Sequence, residues 1–181
     1  MQKLIKYALV FWLLLFFSEN LYPQRISHQS RDEDDPVGRI IIETGGNVVF
    51  NINSLKKYNE GMDLTDWTRI SLSVSGLDDA DTWRLDITPL STMLEGDYDN
   101  DIDLEFISIS AIEQNPDPTN PLLITNIPEL EAVTSTIIQG TGNGMFVIWV
   151  SYSVGTDASK ILLGERPDYY FVDLELRLVS N

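Results

Sequence analysis

From Tyr170 to Leu178 every second side chain is apolar. Tyr170, Val172, Leu174, Leu176 and Leu178 share one parity, and Asp173, Glu175 and Arg177 take the other. A period of two places the two sets on opposite faces of an extended strand, whereas a helix repeats its faces every 3.6 residues or so. The same period recurs upstream. Ile70, Leu72 and Val74 alternate with Arg69, Ser71, Ser73 and Ser75, and Trp83, Leu85 and Ile87 alternate with Arg84 and Asp86. Residues 104–112 form a further β-rich run and residues 134–139 a short one. Residues 145–154 (MFVIWVSYSV) are apolar on both faces through their first half, which predicts a central, covered strand. Helical turns are confined to residues 54–61 and 127–133. Eight or nine short strands predict an all-β, antiparallel β-sandwich, immunoglobulin-like or jelly-roll-like, and a closed barrel is the alternative that spacing does not separate.

Turn chemistry supplies the punctuation. Gly45-Gly46 between two β-rich runs predicts a first hairpin, and the glycines of residues 140–144 (GTGNG) predict another. Neither a lysine nor a helix follows that second segment, so it lacks the features of a phosphate-binding loop. Asp78-Asp79-Ala80-Asp81 is a turn, because aspartate suits such positions. Pro116, Pro118 and Pro121 mark a surface loop, since proline cannot donate to a ladder.

The beginning of the chain reads as an address. Lys3 and Lys6 precede 11 consecutive apolar residues, 7–17, too few for a membrane span and suited to the apolar region of an export signal. The division expected is a signal peptide over residues 1–24, a flexible polar segment over 25–38 with the acidic run 32–35, and a single β-sandwich domain over 39–181. An uncleaved membrane anchor is the competing reading of the first segment. The expected compartment is the secreted or cell-surface one, or the periplasm, with no membrane association once the signal is removed.

Composition narrows the chemistry. With 12 basic and 28 acidic side chains the formal charge is −16, which repels phosphate backbones and argues against nucleic-acid partners. There is no cysteine and one histidine, His28, in the polar lead-in. Thiol nucleophiles, disulfides and Cys/His zinc sites are therefore absent, and a Ser-His-Asp triad has no placed base. No pair of carboxylates stands out for glycoside hydrolysis. The expectation is a protein that is not an enzyme.

Two features suggest ligands. Asp97, Asp99, Asp101 and Asp103 repeat at every second position, and carboxylates so spaced can converge on calcium if the backbone curls into a loop. Ile102 stands where an EF-hand-type loop needs glycine and Ser108 where it needs a bidentate Glu. In an extended strand the same aspartates line one solvated face opposite Ile102, Leu104 and Phe106. No cofactor is expected beyond this possible calcium. Trp67 and Tyr98, in expected loops, are the candidates for stacking on a sugar, while Trp83 and Trp149 fall at core positions of their strands.

The closing strand, with Gly164 six residues before Tyr170 and the alternation to Leu178, resembles that of fimbrial subunits. Pilin-like and spore-coat-like β-sandwich subunits share the order of signal peptide, polar extension, acidic all-β domain and terminal alternating strand. This chain departs from them in having no disulfide and no identifiable missing strand. The resemblance implies self-assembly by strand addition, with residues 37–52 as the inserting segment and Ile40, Ile42, Val48, Phe50 and Ile52 as its anchors. The alternative for that segment is the ordinary first hairpin of a complete sandwich. The function expected is an exported structural or adhesive subunit of a cell-surface or extracellular assembly, acting through protein partners. A secreted glycan-binding module, calcium-assisted or not, is the alternative.

Overall fold

A computed structural model of the protein describes residues 38–98 and 100–180. The expected signal peptide, the polar lead-in up to residue 37 with His28, and Asp99 lie outside the described residues. Among these residues are twelve strands: β1 (Gly38–Thr44), β2 (Val48–Ile52), β3 (Met62–Val74), β4 (Thr82–Pro89), β5 (Met93–Gly96), β6 (Asp101–Asp103), β7 (Ile107–Glu113), β8 (Leu123–Ile124), β9 (Ser135–Thr141), β10 (Gly144–Val154), β11 (Asp168–Val172) and β12 (Leu174–Ser180). One short α-helix, α1 (Leu55–Glu60), starts at Ser54, whose hydroxyl caps the Lys57 N–H, and a single 3-10 turn over Leu104–Phe106 takes the first three residues of the β-rich run expected over 104–112. No helix among the described residues is long and apolar enough to cross a membrane.

The strands form three four-stranded sheets in the orders β1-β3-β10-β7, β2-β11-β5-β6 and β12-β4-β9-β8, with every pairing antiparallel. The chain is thus all-β as expected, with twelve strands in three sheets where eight or nine strands were expected. One reason is that alternation survives a change of sheet. Tyr170 and Val172 on β11 are buried, and Leu174, Leu176 and Leu178 keep the same parity on β12. Only Asp173 separates the two strands, and its carbonyl accepts the Leu90 N–H at 2.9 Å. The three leucines stay half-buried because β12 is the outermost strand of its sheet.

Both expected glycine hairpins are crossovers instead. β1 pairs with β3 while β2 pairs with β11, so the 45–47 segment carries the chain from one sheet to another. Its shape is fixed from β3: Trp67 Nε1 donates to the Asn47 carbonyl at 2.7 Å and Thr68 Oγ1 to the Gly45 carbonyl at 2.6 Å. Gly45 has φ 67°, and a Cβ there would lie 2.0 Å from the Trp67 carbonyl oxygen, so the turn selects glycine for sterics rather than for pairing. Likewise β9 pairs with β4 and β10 with β3 and β7, so Gly142-Asn143 also joins two sheets. The Asn143 side chain brackets Leu77, accepting its N–H and donating to its carbonyl.

The turn over residues 54–61 is present as α1. That over 127–133 is not: Ile127 exchanges two 2.8 Å backbone hydrogen bonds with Ile109, and the Leu130 N–H bonds to the Ile107 carbonyl. β10 is central, between β3 and β7, but it is not covered on both sides. Phe146, Ile148, Val150, Tyr152 and Val154 enter the core, while Met145 is 87% exposed and Val147 and Trp149 are half-buried on the outer face. Trp149 therefore leaves its expected core place, and the Arg69 guanidinium sits 5.6 Å from its ring centroid. Trp83 is fully buried, tilted against Phe146, in one cluster with Phe50, Ile70, Leu85 and Tyr170.

Candidate functional site

A sheet edge carries backbone donors and acceptors that a second chain can pair with, and proteins blunt such edges. Here most are blunted. β6 has three residues and β8 two. β7 is covered by residues 127–130 through the hydrogen bonds just described. On β2, the Lys57 ammonium donates to the Asn51 carbonyl and the Tyr58 hydroxyl to the Ile52 carbonyl at 3.4 Å, so α1 shields that edge.

Two edges of seven residues remain: on β12 the exposed side chains are the charged Glu175 and Arg177, and β1 has no such cover among the described residues. Its one pairing is to β3, over Gly38↔Val74 to Ile42↔Ile70, with a bulge before Thr44↔Arg69. Ile41 is 40% exposed and Ile42 46% exposed, while Ile40 is half-buried against the core. Arg39 and Glu43 flank the isoleucines. The Glu43 carboxylate accepts from Arg69 at 3.1 Å and from the Ser71 hydroxyl. Arg39 makes no ion pair among the described residues.

The five residues expected to insert into a neighbour are divided between two sheets. Ile40 and Ile42 lie on this edge, whereas Val48, Phe50 and Ile52 on β2 are buried in the chain's own core. Sequence reading passed over Ile41, because three consecutive isoleucines hide which parity faces outward. The flanking Arg39 and Glu43 were the available signal.

The acidic segment is organised around a residue that was not singled out. Asp168, buried at the start of β11, accepts the Tyr98 N–H at 3.1 Å and the Asn100 side-chain amide at 2.8 Å on one oxygen, and the Tyr169 N–H at 2.8 Å on the other. Burial pushes its pKa up, but these hydrogen bonds, with a further one from the Asp97 backbone, outweigh it and hold the carboxyl below the usual aspartate range. Asp97 lies in the turn so formed. Asp101 and Asp103 are exposed on β6 on either side of buried Ile102. Among the described residues no three carboxylates or imidazoles are grouped as a metal site would need; Asp99 lies outside them.

Trp67 is not in a loop but in a distorted stretch of β3, beside Asp66 at φ 49°. It is 42% exposed with its indole N–H committed to Asn47. Tyr98, 76% exposed, lies in the β5–β6 turn of a different sheet, and no ring contact joins the two. The cleft lined by Leu90, Ser91, Glu95, Phe171 and Asp173 encloses about 60 Å³, far below the ~300–1,000 Å³ of sites that take small organic ligands.

Comparison of the chain with family models, with curated proteins and with solved structures yields no match. The fimbrial resemblance therefore rests on the all-β architecture alone.

Proposed function

We propose that the chain is an exported structural or adhesive protein, a subunit of a cell-surface or extracellular assembly of the fimbria or fibre kind. It works through protein–protein contacts and not through a catalytic centre. The observation that carries this reading is the contrast between edges: β2 and β7 are shielded, β6 and β8 are cut short, and of the two seven-residue edges that remain β12 exposes the charged Glu175 and Arg177 whereas β1 exposes isoleucines and has no cover among the described residues. An edge of that length and apolarity is a liability in an isolated protein and an asset in an assembling one.

Light scattering coupled to size-exclusion chromatography tests it. Oligomers that grow with protein concentration are expected, with tryptophan fluorescence unmoved by sugars. A monomer at every concentration whose Trp67 emission responds to a glycan, and loses that response in Trp67→Phe, would replace this reading with the glycan-binding one.

A further inference from the structure

The partner for β1 is legible in its own residues. Set antiparallel against a second copy and centred on Ile41, the strand Gly38–Thr44 brings Ile41 opposite Ile41, Ile40 opposite Ile42, and Arg39 opposite Glu43. Two-fold symmetry makes the charge pairing occur twice. Directly opposed residues of opposite charge and paired β-branched side chains are the combinations that stabilise an antiparallel ladder. Neighbouring registers lose this match. Centring on Ile40 sets Arg39 against Ile41 and carries Glu43 past the start of the strand, and centring on Ile42 sets Glu43 against Ile41 and carries Arg39 past its end.

We propose that β1 is the interface of a symmetric homodimer, in which two copies join edge to edge and their first sheets become one of eight strands. The proposal deepens the protein–protein reading above and rests on it. The remaining geometry is compatible. Ile41 and Arg39 project to the outer face, shared with Ser71 and Ser73 of β3 and with Met145 and Val147 of β10. Glu43 already receives Arg69 and Ser71, yet its side chain stays about one-third exposed and a carboxylate has about four acceptor positions, so it can receive the other copy's Arg39 as well. The register to β3 shifts only after Ile42, so Arg39 to Ile42 form the regular part of the proposed ladder and Glu43, the bulged residue, meets Arg39 at its margin through their long side chains. An interface of this kind closes on itself, so growth into a fibre would need a second surface.

The chain contains no cysteine, so single thiols report position without background. Ile41→Cys places one thiol from each copy face to face on the symmetry axis, where opposed Cα atoms lie about 4.5–5.5 Å apart and a disulfide can form. Met145→Cys is the control: it is on the same face, but five strand spacings, about 24 Å, would separate the two copies. Under mild oxidation Ile41→Cys is expected to yield covalent dimer and Met145→Cys none. Arg39→Glu is expected to weaken dimerisation by about tenfold or more, because like charges then oppose each other twice. Arg39→Lys keeps the charge, leaves the Glu43–Arg69 pair intact and is expected to retain the dimer. Circular dichroism on each variant checks folding, and the exposed Arg39 and Ile41 sites leave the core untouched. Oligomers that cross-link no better at position 41 than at 145 would overturn this interface while leaving the assembly reading in place. A chain monomeric at every concentration would overturn both, and cross-linking at 41 with no response to Arg39→Glu would overturn the Arg39–Glu43 pairing across the interface.

Discussion

Asn100 and Asp168, 68 residues apart, are joined by a 2.8 Å hydrogen bond from the Asn100 side-chain amide to Asp168 Oδ2. The same oxygen lies where a side chain on Gly96 would intrude, since a Cβ there would be 2.8 Å from it and 2.5 Å from the Asn100 carbonyl. The Gly96 N–H meanwhile donates to that carbonyl at 2.7 Å. A buried carboxylate, an amide and a glycine therefore fix the turn that presents Tyr98. Asp97 adds a backbone hydrogen bond to this carboxylate, while Asp101 and Asp103 contribute exposed side chains on either side of the buried Ile102.

This arrangement gives a pH dependence with a definite sign. Hydrogen bonds hold the Asp168 carboxyl below its ordinary value, so the unfolded chain takes up a proton first as pH falls. The contribution is present above the unfolded value of about 3.9 and is lost as pH drops through the lower, folded one. Thermal unfolding of the wild type and Asp168→Asn should differ near neutrality, with the variant melting lower, and converge in acid. A gap between the two that is unchanged at low pH would contradict this account.

The strands were legible because burial on one face leaves a period of two, and this held even at Asp173, where parity is kept while the sheet changes. What the period cannot encode is which strand lies beside which. Gly45-Gly46 and Gly142-Asn143 have the composition of hairpin turns, and a crossover between sheets asks the same backbone freedom of them. The decisive information sits at a distance, in Trp67, Thr68 and Leu77. Trp149 was misplaced for a related reason: apolar residues on both parities of β10 signal burial on two faces, but here Arg69 covers one of them with a cation. Asp168 was missed because a single buried aspartate at the start of a strand has no sequence signature.

Gly140 is where the core leaves no room. A Cβ at this position would lie 2.3 Å from Trp83 Cζ2 and 2.6 Å from Cε2, against a ring that is fully buried and tilted onto Phe146. The ring cannot swing away without displacing that neighbour. Gly140→Ala is expected to destabilise by about 1–3 kcal/mol, the usual cost of overpacking, in spite of alanine's lower unfolded-state entropy. Urea unfolding followed by tryptophan emission measures it, and a neutral or stabilising result would show that Trp83 has more freedom than its packing indicates.

The first crossover depends on a relay through a buried hydroxyl pair. Tyr152 donates to Thr68 Oγ1 at 3.0 Å, and Thr68 donates onward to the Gly45 carbonyl at 2.6 Å. Tyr152→Phe removes one bond and is expected to cost about 1 kcal/mol. Thr68→Val removes both and strands the tyrosine hydroxyl in the core, so about 1–3 kcal/mol is expected. Urea unfolding of both variants is the test, and a Thr68→Val cost no larger than that of Tyr152→Phe would contradict the relay.

At the alkaline end Tyr170 should set the limit. Burial, followed by the nearby carboxylates of Glu165 and Asp168, pushes its pKa up from the ordinary value to about 12, and its hydroxyl donates to the Arg166 carbonyl at 2.8 Å. Ionisation is therefore resisted in the folded chain and free in the unfolded one. The raised value means that this contribution is intact below pH ~10, where both states keep the proton, and declines as pH rises through the folded pKa. Thermal stability is expected to fall between about pH 10 and 12. Tyr170→Phe, which cannot ionise, should be less stable at neutrality through the lost hydrogen bond and flatter across that window. If the wild type and Tyr170→Phe decline in parallel there, the alkaline loss belongs to other groups.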